Sequence, residues 1–179
     1  MTTHATEYRK SSTHWRLIQS GLQTMLEELD PNEFQLFHLT LTYRPYQDRI
    51  YDEKDISNFF TSFHLKSVLP DIFQTRTWTT KKKLEQPIVL AFVDEHLQTP
   101  TTSVNPQDHG LPSKLHHHAI IASRSRTLDF YQKRVGVNTM LPYSKKIMTS
   151  DLKPCGPDRV QYASKMIWKY PDYLTFGRQ

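Results

Sequence analysis

The sequence predicts an α+β domain with a central antiparallel β-sheet and flanking helices. Three observations carry this. Trp15, Ile18, Leu22, Met25, Leu26 and Leu29 recur at helical spacing across residues 12–29. Phe37, Leu39, Leu41 and Tyr43 alternate with His38, Thr40 and Thr42, the period of a strand with one buried face. Ile88-Val89-Leu90-Ala91-Phe92-Val93 is uninterrupted apolar sequence, as in a strand central to a sheet.

Each element has its own punctuation. Ser and Thr residues cap the start of the first helix, and Asp30-Pro31-Asn32 stops it. Arg44-Pro45-Tyr46 ends the alternating strand. Ile56, Phe59, Phe60 and Phe63 then mark a second amphipathic helix before Pro70. The apolar strand closes on Asp94-Glu95-His96, and residues 98–113, rich in Thr, Pro, Asn, Gln, Asp and Gly, read as a long loop. A strand is expected at His116 to Ile121 and a short helix at Thr127 to Val135, with one or two edge strands in the stretch holding Pro142 and Pro154. Gly156-Pro157 places a proline at a first helical position, after which Val160, Ala163 and Ile167 share one face and Asp158, Tyr162, Lys165 and Lys169 the other.

At 179 residues the chain suits one domain, residues 1–179, with an N-terminal helix at 12–29 and a core at 36–170. No window approaches a membrane span, and Met1 to Glu7 lacks the basic start and apolar run of a secretory signal. A cytoplasmic protein is therefore expected. The single cysteine, Cys155, excludes an internal disulfide and a cysteine-rich zinc site, so any metal must be held by histidines and carboxylates. Charge is unevenly spread: residues 1–100 carry 11 basic and 13 acidic side chains, residues 101–179 carry 12 and 5. A basic second half suggests a polyanionic partner, most simply nucleic acid.

That basic half also contains Lys114-Leu115-His116-His117-His118-Ala119-Ile120-Ile121. On a strand, His116 and His118 point to one face about 6–7 Å apart along the chain, and His117 to the other. Two imidazoles so placed can share a metal ion, which makes them the candidate metal ligands. A lone histidine on a strand is more often a buried polar group bonded to backbone, and the pairing is what favours a metal. Lys81 to Lys83, Arg124, Arg126, Lys145 and Lys146 are by default solvated charge, and in a nucleic-acid-binding protein would meet phosphates. Tyr46 and Trp78 are candidates for stacking on bases.

Taken in order, the strand Phe37-His38-Leu39-Thr40-Leu41-Thr42-Tyr43, the strand His116-His117-His118-Ala119-Ile120-Ile121 and the segment Tyr162-Ala163-Ser164-Lys165 form a series. The series resembles the HUH endonuclease superfamily, specifically the single-tyrosine initiators of rolling-circle replication. The resemblance spans roughly residues 36–170. One departure is the middle of the histidine motif, where the family has a bulky hydrophobe and this chain has His117. The resemblance implies a ferredoxin-like sheet of the HUH endonuclease type and a sequence-specific single-stranded DNA nickase and ligase.

By the same resemblance, a divalent metal, Mg²⁺ or Mn²⁺, is held by His116, His118 and a carboxylate, Tyr162 is the nucleophile that forms a 5′-phosphotyrosine, and Lys165 steadies the phosphate or the phenolate. Tyr170 and Tyr173 do not fall at one-turn spacing from Tyr162, so one catalytic tyrosine is expected. Glu95 is the expected third ligand, on the face of Val89, Ala91 and Val93 and opposite Ile88, Leu90 and Phe92; Asp94 or His96 would serve in a shifted register, and His109 if the loop folds back. The expected partner is single-stranded DNA, with a neighbouring hairpin and a host helicase as further candidates. No helicase motif is present, so the chain is either a compact initiator or the nuclease part of a longer protein. Three rivals remain: a transposase of the same chemistry, a nucleic-acid-binding module without catalysis, and a metallohydrolase using metal-bound water.

Overall fold

The computed structural model describes residues 3–43, 51–73, 85–95, 115–124 and 147–177. Helix α1 (Thr3–Glu27) leads into strand β1 (Phe34–Tyr43), and helix α2 (Glu53–Phe63) continues through a π-helical turn (His64–Val68) into α3 (Leu69–Phe73). Strands β2 (Ile88–Glu95), β3 (Leu115–Arg124) and β4 (Ile147–Pro154) follow, then the short helix α4 (Arg159–Ala163) and strand β5 (Leu174–Phe176). The helix expected at 127–135, the loop at 98–113, His96, His109, Lys81 to Lys83, Arg126, Lys145, Lys146, Tyr46 and Trp78 lie outside the described residues.

The five strands form one sheet in the order β4-β1-β3-β2-β5, with every neighbouring pair antiparallel. Because β1 and β2 both run against β3, they are parallel to one another with β3 between them, the split βαβ connectivity expected of a ferredoxin-like sheet. Strand β4 pairs with β1 and ends at Pro154, a residue that a central position would not tolerate. Strand β5 was not foreseen. It pairs with the far side of β2 and ends at Gly177, whose φ of +98° and close approach to Pro87 favour glycine: an added Cβ would stand 2.5 Å from the Pro87 carbonyl oxygen.

Both faces of the sheet are covered. On one, Phe37, Leu39, Leu41, Val89, Ala91, Val93, Ala119 and Ile121 pack with Ile56, Phe60 and Phe63 of α2 and with Val68 and Leu69. On the other, Leu90, Phe92, Ile120 and Ala122 pack with Leu26 of α1 and with Val160, Ala163 and Ile167 of the α4 segment. Each fully buried side chain of this size stabilises the fold by roughly 1.5–3 kcal/mol.

Helix α1 begins nine residues before the expected start, because Thr3 to Ser11 lacks the apolar stripe by which residues 12–29 announce themselves. Met25, expected on the packed face, is exposed, as is Leu17. Asp52 caps α2 by accepting the Asp55 amide at 2.8 Å. Pro70 follows directly on the π-helical turn, at the second residue of α3. Pro157 lies in a turn ahead of α4, and the helix ends at Ala163; single turns carry the chain onward, with the Lys165 amide bonded to the Tyr162 carbonyl and the Lys169 amide to that of Met166. No described helix is long and apolar enough to cross a membrane.

Candidate metal centre

Strand register assembles the site. Opposite residues of antiparallel neighbours share a face, so pairing β3 with both β1 and β2 lays out two rows: Thr42, His116, Asp94 and Thr40, His118, Phe92. These rows cross the end of the face that further down carries Leu90, Ile120 and Ala122. Its apolar packing gives way there to a polar cluster.

Asp94, His116 and His118 are buried, with exposures of 0%, 4% and 5%. Their ligand atoms lie within 4.8 Å of one another, and the group could hold one metal ion. His116 Nε2 is 3.2 Å from His118 Nε2, and Asp94 Oδ2 is 2.9 Å from His118 Nε2 and 3.5 Å from His116 Nε2. Donors bound to one ion at about 2.1 Å are about 3.0–3.4 Å apart, so the three atoms fit a single divalent cation without large rearrangement. Two imidazoles and one carboxylate suit several divalent metals.

Neighbouring groups orient these donors. Thr40 Oγ1 is 3.1 Å from His118 Nδ1. In the tautomer whose Nδ1–H donates to that hydroxyl, Nε2 offers its lone pair to the cluster. The Glu95 amide donates to Asp94 Oδ1 at 2.8 Å, which leaves Oδ2 turned to the imidazoles. Burial is the largest influence on the Asp94 carboxyl and pushes its pKa up, but hydrogen bonds from His116, His118 and Lys165 together outweigh it and hold the group well below the usual carboxylate range. Burial lowers the His118 pKa, against the opposing hydrogen bond to Asp94. A neutral imidazole and an ionised carboxylate are the states that bind metal.

Glu95 is not the third carboxylate. It pairs with Leu115 and so points to the opposite face of β2 from Asp94, where Lys169 Nζ and the Tyr170 hydroxyl, at 3.0 Å, donate to its Oε2. The expectation assumed that the helices covered only the Leu90 and Phe92 face. Both faces are covered, and the cluster stands at the edge of that same face. The parity of Asp94 was readable, but the register with β3 that selects it was not.

The structure places Tyr162 and Lys165 beside the cluster. Lys165 Nζ is 2.8 Å from Asp94 Oδ2 and lies 4.6 Å from the centre of the Tyr162 ring. Burial lowers the Lys165 pKa, but hydrogen bonding and proximity to Asp94 reverse this and raise it overall, so the ammonium stays charged. The Tyr162 ring is 5.2 Å from that of His118, edge to face, and is 42% exposed, so it is open to a large substrate. Tyr173, by contrast, is stacked on Phe92.

Two neighbours were missed. His38 stacks on His118 at 4.9 Å and meets the Tyr162 ring at 5.8 Å, and burial lowers its pKa to about 4. The Arg159 guanidinium lies over the Tyr162 ring at 3.9 Å. The period of β1 had put His38 and Thr40 on one side of that strand, which was the available signal. Arg159 is three residues before Tyr162, a spacing that also could have found it. Arg124, a candidate phosphate contact, is paired with Glu33 at 3.2 Å.

No protein-family model, curated protein or solved structure matches the chain.

Proposed function

We propose that this chain is a metal-dependent, sequence-specific single-stranded DNA nickase and strand-joining enzyme of the HUH type that initiates rolling-circle replication. One observation carries the proposal: an exposed tyrosine lies against a buried Asp-His-His group, with a lysine spanning the carboxylate and the tyrosine ring. A binding module has no evident need for that combination.

Asp94, His116 and His118 would hold the divalent ion, which when bound supplies Lewis-acid polarisation of a phosphate oxygen. Tyr162 attacks the scissile phosphorus: the bond from its phenol oxygen forms, the bond to the 3′ oxygen breaks, the phenol proton is given up and the departing 3′ oxygen takes a proton. Arg159 and Lys165, both against the Tyr162 ring, are two cations beside the charge of the phosphate in flight. Thr40 keeps the His118 ring in orientation. Phenolate is a better leaving group than a sugar alkoxide, so the phosphotyrosine retains the energy to rejoin the strand to a 3′-hydroxyl without ATP.

The test is incubation with a randomised single-stranded DNA pool in Mn²⁺, scored for a protein and DNA adduct that survives boiling in SDS. Wild type should form it. Tyr162→Phe, the double variant His116→Ala with His118→Ala, and wild type in EDTA should not. Cleavage that persists in Tyr162→Phe would instead identify a hydrolase working without a covalent step, and DNA binding indifferent to metal with no cleavage would identify a binding module.

A further inference from the structure

A cavity of about 270 Å³ opens beside the tyrosine, lined by His38, Lys153, Cys155, Gly156, Asp158 and Arg159 together with Pro154. His38 and Arg159 each form part of its wall and each touch the Tyr162 ring, at 5.8 Å and 3.9 Å. One layer of side chains therefore separates its contents from the phenol. The volume suits a single flat ring system rather than a whole nucleotide.

The wall is chemically mixed. Arg159 supplies a fork of donors and Asp158 a carboxylate that makes no capping bond to the helix following it. Lys153 is held in an ion pair with Asp151 at 2.6 Å. Buried His38 adds an Nε2 with no hydrogen-bond partner among the described residues. A carboxylate in the wall works against a phosphate, whereas a neutral ligand carrying both donors and acceptors is served by a carboxylate and a guanidinium together. Gly156 keeps the wall open near Asp158, since a Cβ there would lie 2.6 Å from Asp158 Oδ1.

We propose that this cavity is a nucleobase pocket that reads a guanine in the single strand within two nucleotides of the scissile phosphate. The inference rests on the nicking reading above and extends it to sequence choice. Guanine alone among the DNA bases offers two adjacent N–H donors, N1–H and N2–H, which match the Asp158 carboxylate. Its O6 and N7 acceptors remain for Arg159. A base that cannot donate to Asp158 or accept from Arg159 leaves those groups unmatched against its edge, which is how such a pocket discriminates.

The experiment sequences the DNA trapped as adduct from the randomised pool by wild type and by Asp158→Asn, and in parallel the DNA retained on Tyr162→Phe and on Tyr162→Phe with Asp158→Asn. Asp158 is exposed and uncommitted to the fold, and equal melting temperatures would verify that its replacement is structurally neutral. The expected result is a guanine preference at one position beside the nick that Asp158→Asn reduces at least tenfold, with the other positions unchanged. No guanine preference there, or one that survives Asp158→Asn, overturns the pocket. Should wild type form no adduct, the nicking reading fails by itself, and the retained pools still decide the pocket: guanine enrichment lost with Asp158→Asn upholds it, and no enrichment overturns it.

Discussion

Lys165 reaches 2.8 Å from Asp94 Oδ2, the oxygen that also faces both imidazoles. A metal cation held by this group would share that carboxylate oxygen with the lysine ammonium, so under the proposed function Lys165 would oppose metal entry while serving the tyrosine. Lys165→Gln should tighten Mn²⁺ binding by about tenfold, equivalent to about 1.4 kcal/mol, while slowing adduct formation by about 100-fold. Titration calorimetry and adduct kinetics on the same preparation check both. A variant that weakened both together would place Lys165 in a supporting role only.

Asp94 and Glu95 are adjacent in sequence and project from opposite faces of β2. Asp94→Asn should abolish measurable Mn²⁺ binding, because the cluster loses its anionic donor. Glu95→Gln should leave the metal dissociation constant unchanged and slow adduct formation by about tenfold, since Glu95 ties Lys169 and Tyr170, and with them the tyrosine segment, to the end of β2. Equal loss of metal binding in the two variants would contradict this assignment.

His64, buried at the start of the π-helical turn, has its pKa lowered to about 3 by desolvation. In the unfolded chain it titrates near 6.5. Between these values the unfolded state holds a proton that the folded state does not. The contribution is complete above about pH 6.5 and is lost as pH falls toward 3, at a limiting slope of about 1.4 kcal/mol per pH unit. Urea melts of the metal-free protein from pH 7 to 4 should show this decline, and His64→Leu should make it shallower by up to that slope, the rest coming from His38 and His117, whose pKa values burial also lowers, to about 4 and about 3.

On the same covered face, the Tyr43 hydroxyl is 2.7 Å from His117 Nδ1, and both side chains are buried. Tyr43→Phe leaves that imidazole nitrogen without its partner and should cost about 1–3 kcal/mol. Metal affinity should change less than threefold, because His116 and His118 project from the other face of β3. Denaturant midpoints and metal titrations report the two effects separately.

The parts of the molecule written locally were legible in the sequence. Period two in β1 and the unbroken run in β2 gave strands within a few residues of those found, and Val160, Ala163 and Ile167 gave the buried side of the α4 segment. His116 and His118 were legible because their spacing alone fixes a shared face. What depended on pairing between distant strands was not: Asp94 enters the site through its register with His116, and β5 exists through its pairing with β2. A three-residue strand at Leu174–Phe176 has no period to detect. His38 was assigned to the correct side of its strand, and only its neighbours, His118 and Tyr162, reveal a chemical setting.

Gln19 on α1 donates to the Ser164 carbonyl and hydroxyl at 3.0 and 2.9 Å, joining residues 145 apart, and β1 pairs with β3 and β4 across separations of 74 to 117 residues. Contacts of such span form late and slowly in folding. During synthesis the candidate metal ligands on β2 and β3 emerge before Tyr162 and Lys165 have been added to the chain. The segment carrying these two finds its seat only when Val160, Ala163 and Ile167 dock between the sheet and α1. Under the proposed function, order of synthesis would act as a timer: a chain made only as far as β4 would carry the candidate metal ligands Asp94, His116 and His118 but not Tyr162, the proposed nucleophile.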